Sequence, residues 1–118
     1  MKTILVDAVD TFVLEKEGID KALYELLESY PNNKIILTNA NDKQMEIFGL
    51  TNMPYEVFTL KHNPDKPDPT YFKTLLEKYN LSPHEVIYFE HNPDAVKSAQ
   101  SVGITLKKIP KRWSDTRS

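Results

Sequence analysis

The sequence predicts an α/β protein, a three-layer α/β/α sandwich in which about five parallel strands lie between helices. Two observations lead to this fold class. Short apolar segments, partly β-branched, recur along the chain, as is typical of strands buried on both faces. Stretches with helical periodicity separate them, and strands that alternate with helices pair in parallel through right-handed crossovers. The predicted strands are centred on residues 4–6, 35–37, 57–58, 86–89 and 104–106.

Two longer helices are predicted from apolar residues that recur every three or four positions. The first spans residues 19–30 and ends at Pro31, because proline cannot continue a helix. The second spans residues 69–79, with Asp68 as its N-cap and Pro69 at the first helical position. Each helix presents one apolar face that would pack on the sheet.

Capping residues predict the shorter elements. A short helix follows Asn41 and ends near Gly49. Residues 82–85 have the spacing of a capping box, which predicts a tight turn before the fourth strand. Asn92 caps a last helix, and Gly103 closes it.

Composition restricts the class of protein. The chain has 118 residues, of which 40% are hydrophobic, enough for one domain with a single core. It has no cysteine, which excludes disulfides and thiolate metal sites and suits a reducing compartment. No apolar stretch approaches the roughly 18 residues that a membrane span needs, and no signal-peptide pattern is present. We therefore expect a cytoplasmic protein without a membrane partner.

Charge divides the chain into an acidic core domain, residues 1–106, and a basic C-terminal tail, residues 107–118. The net charge of −2 hides this asymmetry, since Asp115 is the single acid of the tail. Trp113 is the single tryptophan of the chain. A solvated terminus is the interpretation that this composition favours, so we expect no nucleic-acid partner.

Polar residues follow or adjoin four of the apolar segments. These residues are Asp7, Thr38, Lys66 and the pair Glu90 and His91. The carboxyl ends of parallel strands share one edge of a sheet, where open α/β proteins bind ligands. A carboxylate, a hydroxyl and an ammonium at one edge can hold a phosphoryl group, because the first attacks, the second donates a hydrogen bond and the third neutralises charge.

These segments resemble the signatures of the haloacid dehalogenase (HAD) superfamily over nearly the whole chain. "ILVDAVDTF" is similar to the strand followed by Asp-x-Asp-Gly-Thr, with Asp7 at the nucleophile and Thr11 at the threonine. "IILTNA" is similar to the second signature at Thr38, and "KPDPTYF" to the third at Lys66. The last signature is in register at Asn92. The resemblance implies a Rossmann-like HAD fold.

The resemblance also implies an activity, which is the hydrolysis of phosphomonoesters through an aspartyl-phosphate on Asp7. Thr38 and Lys66 would assist catalysis, and Thr11 and Asn39 would bind the substrate. Residues 8–37 and 39–65 are too short to hold the cap domain that many relatives carry. Capless relatives tend to act on macromolecules, so we expect a phosphorylated ligand, with macromolecules among the candidates.

The first departure from the family pattern lies in the nucleophile segment. Relatives that are phosphatases have an acid and base two residues after the nucleophile, where this chain has Val9. Valine carries no proton, so a contribution of about 10²–10⁴-fold to the rate should be missing. Asp10 is the alternative donor, although it occupies the glycine position of the signature.

The second departure lies in the metal site. The resemblance implies a Mg²⁺ ion held by Asp7, the carbonyl of Val9 and a carboxylate of the last signature. That last position is His91, preceded by Glu90. Magnesium prefers oxygen ligands, whereas imidazole suits Zn²⁺ and other transition metals, so Mg²⁺ binding should be weak unless Glu90 takes part.

Two functions therefore remain open on the sequence. The first is an impaired HAD-like phosphatase that uses Asp7. The second is a non-catalytic HAD-like module that binds phosphate or a protein partner. The substitutions at Val9 and His91 motivate the second, because they weaken the same reaction independently.

Overall fold

A computed structural model describes residues 1–14 and 16–108. Its strands are β1 (Thr3–Asp7), β2 (Val13–Leu14), β3 (Gly18–Ile19), β4 (Lys34–Thr38), β5 (Glu56–Thr59), β6 (Val86–Glu90) and β7 (Thr105–Lys108). Its helices are α1 (Lys21–Glu28), α2 (Asp42–Ile47), α3 (Thr70–Lys78) and α4 (Pro93–Ser101). A single 3-10 turn, Pro83–Glu85, precedes β6 in this part of the chain.

Five of these strands form one parallel sheet in the order β5-β4-β1-β6-β7. The chain moves from β1 outward to β4 and β5, and then returns to β6 and β7 on the other side of β1. The strand order thus reverses beside β1, and crevices of this kind are where open α/β sheets bind ligands. The predicted fold class is confirmed.

Each face of the sheet carries its own apolar layer, because successive side chains of a strand point to opposite faces. On one face Ile4 and Val6 pack in a cluster with Leu23 of α1. On the other face Leu5 packs in a cluster with Phe72 of α3. All five residues are buried, so β1 is covered on both sides, as its continuous apolar run predicts.

Helix α1 is shorter than the predicted span of residues 19–30. It begins after Asp20, whose Oδ1 accepts hydrogen bonds from the backbone N–H groups of Ala22 (3.0 Å) and Leu23 (3.2 Å). Ile19 instead belongs to β3, which pairs with β2 in a small antiparallel hairpin. The hairpin was not predicted, since strands of two residues are too short to show a periodic pattern.

The start of α3 differs from the prediction by one position. The residue that precedes the helix is Pro69, not Asp68. Asp68 still acts at this end, because its Oδ1 accepts a hydrogen bond from the backbone N–H of Thr70 at 2.9 Å. Asp68 therefore bonds the first N–H of the helix from one position before the N-cap.

The other capping predictions are confirmed. Asn41 and Ser82 both form capping boxes, the first at α2 and the second at the 3-10 turn. Asn92 is the N-cap of α4, and its side chain accepts a hydrogen bond from the backbone N–H of Asp94 at 2.9 Å. Gly103 follows that helix with a φ of +91°, a left-handed conformation that glycine adopts without strain.

The ends of the described chain bear on the predicted domain boundary at residue 106. Strand β7 continues through Lys108 and so includes the first residues of the predicted tail. The rest of that tail, residues 109–118 with Trp113, lies outside the described residues.

Between β1 and β4 the described chain forms only the hairpin and α1, and between β4 and Lys66 only α2 and β5, so no cap domain is inserted there. No described helix is long and apolar enough to cross a membrane.

Candidate active site

Asp7 ends the central strand β1 and is the centre of the site. Its side chain is 8% exposed, and its two carboxylate oxygens bind different partners. Oδ1 accepts a hydrogen bond from Lys66 Nζ. Oδ2 accepts one from Thr11 Oγ1 at 2.9 Å and lies 3.1 Å from His91 Nδ1. Burial alone would raise the pKa of Asp7, but the Lys66 ammonium and the hydrogen bonds from His91 and Lys66 hold it well below its usual range.

Lys66 joins the two buried carboxylates of the site. Its Nζ contacts Asp7 Oδ1 and lies 3.1 Å from Glu90 Oε1. Lys66 is thus ion-paired with both acids. Burial alone would lower the pKa of Lys66, but the charges of Asp7 and Glu90 raise it above its usual value. Asn39 holds the backbone at Lys66 in place, since its Oδ1 accepts a hydrogen bond from the backbone N–H of Lys66 at 2.8 Å.

Glu90 is a buried anion whose oxygens are all engaged. Oε1 accepts hydrogen bonds from Lys66 and from the hydroxyl of Tyr88. Oε2 accepts the backbone N–H groups of His91 at 3.1 Å and Asn92 at 3.2 Å. Burial raises the pKa of Glu90, with the charge of Asp7 acting in the same direction and Lys66 opposing it. These bonds make Glu90 a fixed counter-ion for Lys66.

Two buried tyrosines support the site through their hydroxyl groups. The Tyr88 hydroxyl donates to Glu90. The Tyr71 hydroxyl donates to the carbonyl oxygen of Thr38 at 2.8 Å and also lies 3.1 Å from that of Phe58. A signal for Tyr88 did exist, because it lies two residues before Glu90 and therefore on the same face of β6.

Removing the Tyr88 hydroxyl tests its support of Glu90. We expect Tyr88→Phe to lower the free energy of unfolding by about 1–3 kcal/mol, because a buried carboxylate oxygen loses a donor. Urea denaturation measures the change. Tyr55→Phe is the matched control, since its hydroxyl binds Glu28 at 2.7 Å at the exposed surface. Equal losses in the two variants would contradict the role of Tyr88.

Thr38 ends β4 beside Asp7 and is buried. Its Oγ1 accepts the backbone N–H of Ala40 at 3.2 Å, a bond that uses an oxygen lone pair and leaves the hydroxyl hydrogen available. Thr38, Asp7 and Lys66 line a cleft of about 230 Å³. The structure thus brings the predicted catalytic side chains together at one opening of the sheet edge.

A second cleft of about 180 Å³ opens on the other side of Asp7 and Lys66, towards Glu90 and His91. A larger cavity of about 460 Å³ lies at the amino ends of the strands, among Thr3, Asn33 and Tyr55. Size therefore does not identify the site. The charged residues gather at the carboxyl ends, and we place the site there.

Val9 and Asp10 occupy different places relative to the clefts. Val9 is half-buried and lines the 230 Å³ cleft beside Asp7. Asp10 has a φ of +67°, a left-handed conformation that suits a glycine position. Asp10 is not one of the described residues that line the two clefts next to Asp7. The side chain at the expected acid–base position is thus apolar.

His62, to which the sequence analysis gave no role, forms part of the rim. It lines the cleft with Asp7, and its Nδ1 lies 2.8 Å from Asp65 Oδ1. Its Nε2 lies 2.6 Å from Gln44 Oε1, and its backbone N–H donates to the carbonyl of Asn39 at 3.0 Å. These bonds join residues 39–44 to residues 59–65 on one side of the cleft. No sequence pattern indicates the contact, since it depends on how two loops pack.

The predicted Mg²⁺ ligands converge, but they do not fit that ion. Asp7, Glu90 and His91 each bring a ligand-type atom within 4.8 Å of the others. The oxygens of both carboxylates already accept hydrogen bonds from protein donors. The third side chain offers nitrogen, whereas Mg²⁺ requires oxygen ligands in octahedral geometry.

The sheet order and the buried carboxylate at its reversal point define an α/β protein with an acidic site at the carboxyl ends of its strands. The family profile described as haloacid dehalogenase-like hydrolase matches residues 2–108. The chain belongs to this family, and the predicted resemblance is confirmed. A search of curated proteins finds no match to the chain.

Solved structures share this fold at low sequence identity. A protein of Lactobacillus plantarum named as a phosphoglycolate phosphatase is 20% identical, with a TM-score of 0.67; the match covers 86% of this chain and 51% of that one. This chain thus spans about half of the Lactobacillus protein. A HAD-superfamily hydrolase of Geobacter sulfurreducens, subfamily IA, variant 1, is 13% identical, with a TM-score of 0.67 and 98% of both chains covered. The core domain of a protein of Streptococcus pneumoniae, also named as a phosphoglycolate phosphatase, is 19% identical, with a TM-score of 0.62 and 91% and 78% covered.

Proposed function

We propose that this chain hydrolyses phosphomonoesters slowly, through an aspartyl-phosphate on Asp7. The observation that supports this function is the Asp7 carboxylate itself, which is held ionised by Lys66 at the base of a cleft. Thr38 adjoins it with an available hydroxyl hydrogen. Two of the structural relatives are named as phosphatases of a phosphorylated small acid, which agrees with phosphate-ester chemistry.

The chemistry divides into two steps. In the first, a carboxylate oxygen of Asp7 forms a bond to phosphorus, and the bond from phosphorus to the leaving oxygen breaks with its electron pair. Lys66 and Thr38 would bind the phosphoryl oxygens. In the second step, water attacks phosphorus, the bond from phosphorus to the Asp7 oxygen breaks with its electron pair to restore the carboxylate, and the proton that water loses passes to the released phosphate or to solvent. Val9 supplies no proton in either step, so leaving groups that are stable as anions should react best.

We propose positioning roles for the two residues predicted to bind the substrate. Thr11 donates its hydroxyl hydrogen to Asp7, and Asn39 accepts from the backbone of Lys66. Both therefore orient the reacting groups. With no cap in the described chain, the joined loops 39–44 and 59–65 form one wall of the cleft, which leaves room for a phosphorylated macromolecule.

A second candidate function is a non-catalytic module that binds phosphate or a protein partner. The specific observation in its favour is that Val9 places an apolar side chain on the cleft beside Asp7. The ion pairs of Lys66 would hold the fold in that case too.

The Asp7→Asn variant tests the proposed hydrolysis. We expect the natural chain to release nitrophenolate slowly from p-nitrophenyl phosphate, whose leaving group needs no proton. The variant should show no release, because an amide does not attack phosphorus. Asp94→Asn is the matched control, since Asp94 is exposed on α4 and should retain full turnover.

Two results would contradict the proposed hydrolysis. Equal turnover in Asp7→Asn and the natural chain would exclude Asp7 as the nucleophile. No turnover in the natural chain, together with saturable binding of inorganic phosphate by calorimetry, would support the non-catalytic module instead.

A further inference from the structure

We infer that the site works without a divalent cation, because His91 donates its Nδ1–H to Oδ2 of the Asp7 carboxylate. The inference rests on the proposed function only in taking Asp7 as the reactive carboxylate. The positive charge beside Asp7 then comes from the side chains of Lys66 and His91 and not from a bound metal ion.

The hydrogen bonds of Thr11 determine which atom carries the hydrogen at His91. Thr11 Oγ1 lies 2.9 Å from Asp7 Oδ2 and also 2.9 Å from His91 Nδ1. A hydroxyl has one hydrogen, and an ionised carboxylate can only accept, so Thr11 donates to Asp7. The contact between Thr11 and His91 then requires that Nδ1 carries a hydrogen and donates it.

His91 Nδ1 also lies 3.1 Å from Asp7 Oδ2, so the same N–H faces both acceptors. A ring nitrogen that carries a hydrogen has no lone pair in the ring plane for a metal ion. A metal ion could bind Nδ1 only by displacing this hydrogen and breaking the hydrogen bonds that it makes.

The remaining acceptors of the site are occupied in the same way. Lys66 binds Asp7 Oδ1 and Glu90 Oε1, and Tyr88 also donates to Glu90 Oε1. Two backbone N–H groups bind Glu90 Oε2. Asp7 thus receives hydrogen bonds from three side chains, two of them basic.

Calorimetric titration with MgCl₂ and with ZnCl₂ tests the inference without any measurement of turnover. We expect no saturable binding of either ion to the natural chain at millimolar concentrations. His91→Asp should gain one saturable site for Mg²⁺, because it replaces an N–H donor with oxygen ligands. His91→Asn, which removes the imidazole without adding a carboxylate, should gain none. Adding Asp7→Asn to His91→Asp should abolish the new site.

Saturable binding of Mg²⁺ or Zn²⁺ to the natural chain that is lost in Asp7→Asn would overturn the inference. NMR of isotope-labelled histidine in the presence of a chelator supplies a second measurement that needs no variant to fold. It should show His91 Nδ1 bonded to hydrogen, and an Nδ1 without hydrogen would equally overturn the inference. A failure of the proposed function would show in a different experiment, as equal turnover in Asp7→Asn and the natural chain.

Discussion

Lys66→Met should lower the free energy of unfolding by about 3–5 kcal/mol, one of the largest effects of any single substitution in this chain. The Lys66 side chain is 7% exposed and contacts both Asp7 and Glu90. Its removal leaves two carboxylates buried together without their shared cation, and their mutual repulsion and lost hydration both favour the unfolded chain. Urea denaturation followed by circular dichroism measures the loss.

Two further variants separate this electrostatic effect from lost packing. Lys73→Met changes an exposed lysine on α3 and should alter the stability little. Asp7→Asn in the Lys66→Met background should recover part of the lost stability, because it removes one of the two carboxylate charges that Lys66 neutralises in the natural chain. A Lys66→Met variant as stable as Lys73→Met would show that the buried ion pairs contribute nothing to the fold.

Val9→Asp should accelerate turnover of alkyl phosphates by about 10²–10⁴-fold. The new carboxyl group would lie on the cleft that Asp7 lines, where it can protonate a poor leaving group and then activate water. Aryl phosphates should gain less in the first step, because their leaving groups need no proton. Steady-state rates on both substrate types measure the difference.

Val9→Asn is the matched control for this gain, since asparagine has nearly the same shape as aspartate but transfers no proton. Equal rates in Val9→Asp and Val9→Asn would contradict the account of Val9 as a missing acid and base. Asp10→Asn in the natural chain addresses the alternative donor. A loss of turnover there would show that Asp10 supplies the proton despite its position outside the clefts.

The sequence predicted the sheet well, because each strand contains an apolar segment and the three inner strands, β4, β1 and β6, are buried on both faces. The predicted α1 was too long at both ends. At its start, Ile19 continues the apolar pattern of the helix but pairs with β2 in the hairpin. The sequence also missed the hairpin, whose strands are too short for any periodicity. Capping residues such as Asn41 and Asn92 were more informative, because their side chains form local hydrogen bonds that the sequence alone specifies.

The convergence of Asp7, Lys66 and Glu90 was also predictable, because the carboxyl ends of parallel strands meet at one edge. The contacts that set their chemistry were not. The donor direction of His91 depends on its distance to Thr11, which is distant in sequence, and the contact of His62 with Gln44 depends on two loops packing together. Such contacts are properties of tertiary structure, and no local pattern encodes them.

The most direct test of the central claim is to trap a phosphorylated Asp7. The natural chain is mixed with p-nitrophenyl phosphate, quenched in acid and reduced with borohydride, which converts an aspartyl-phosphate to homoserine. Peptide mass spectrometry should then find homoserine at position 7 and at no other aspartate. Turnover of the substrate without modification of Asp7, or with modification of another residue, would contradict the role of Asp7 as the nucleophile.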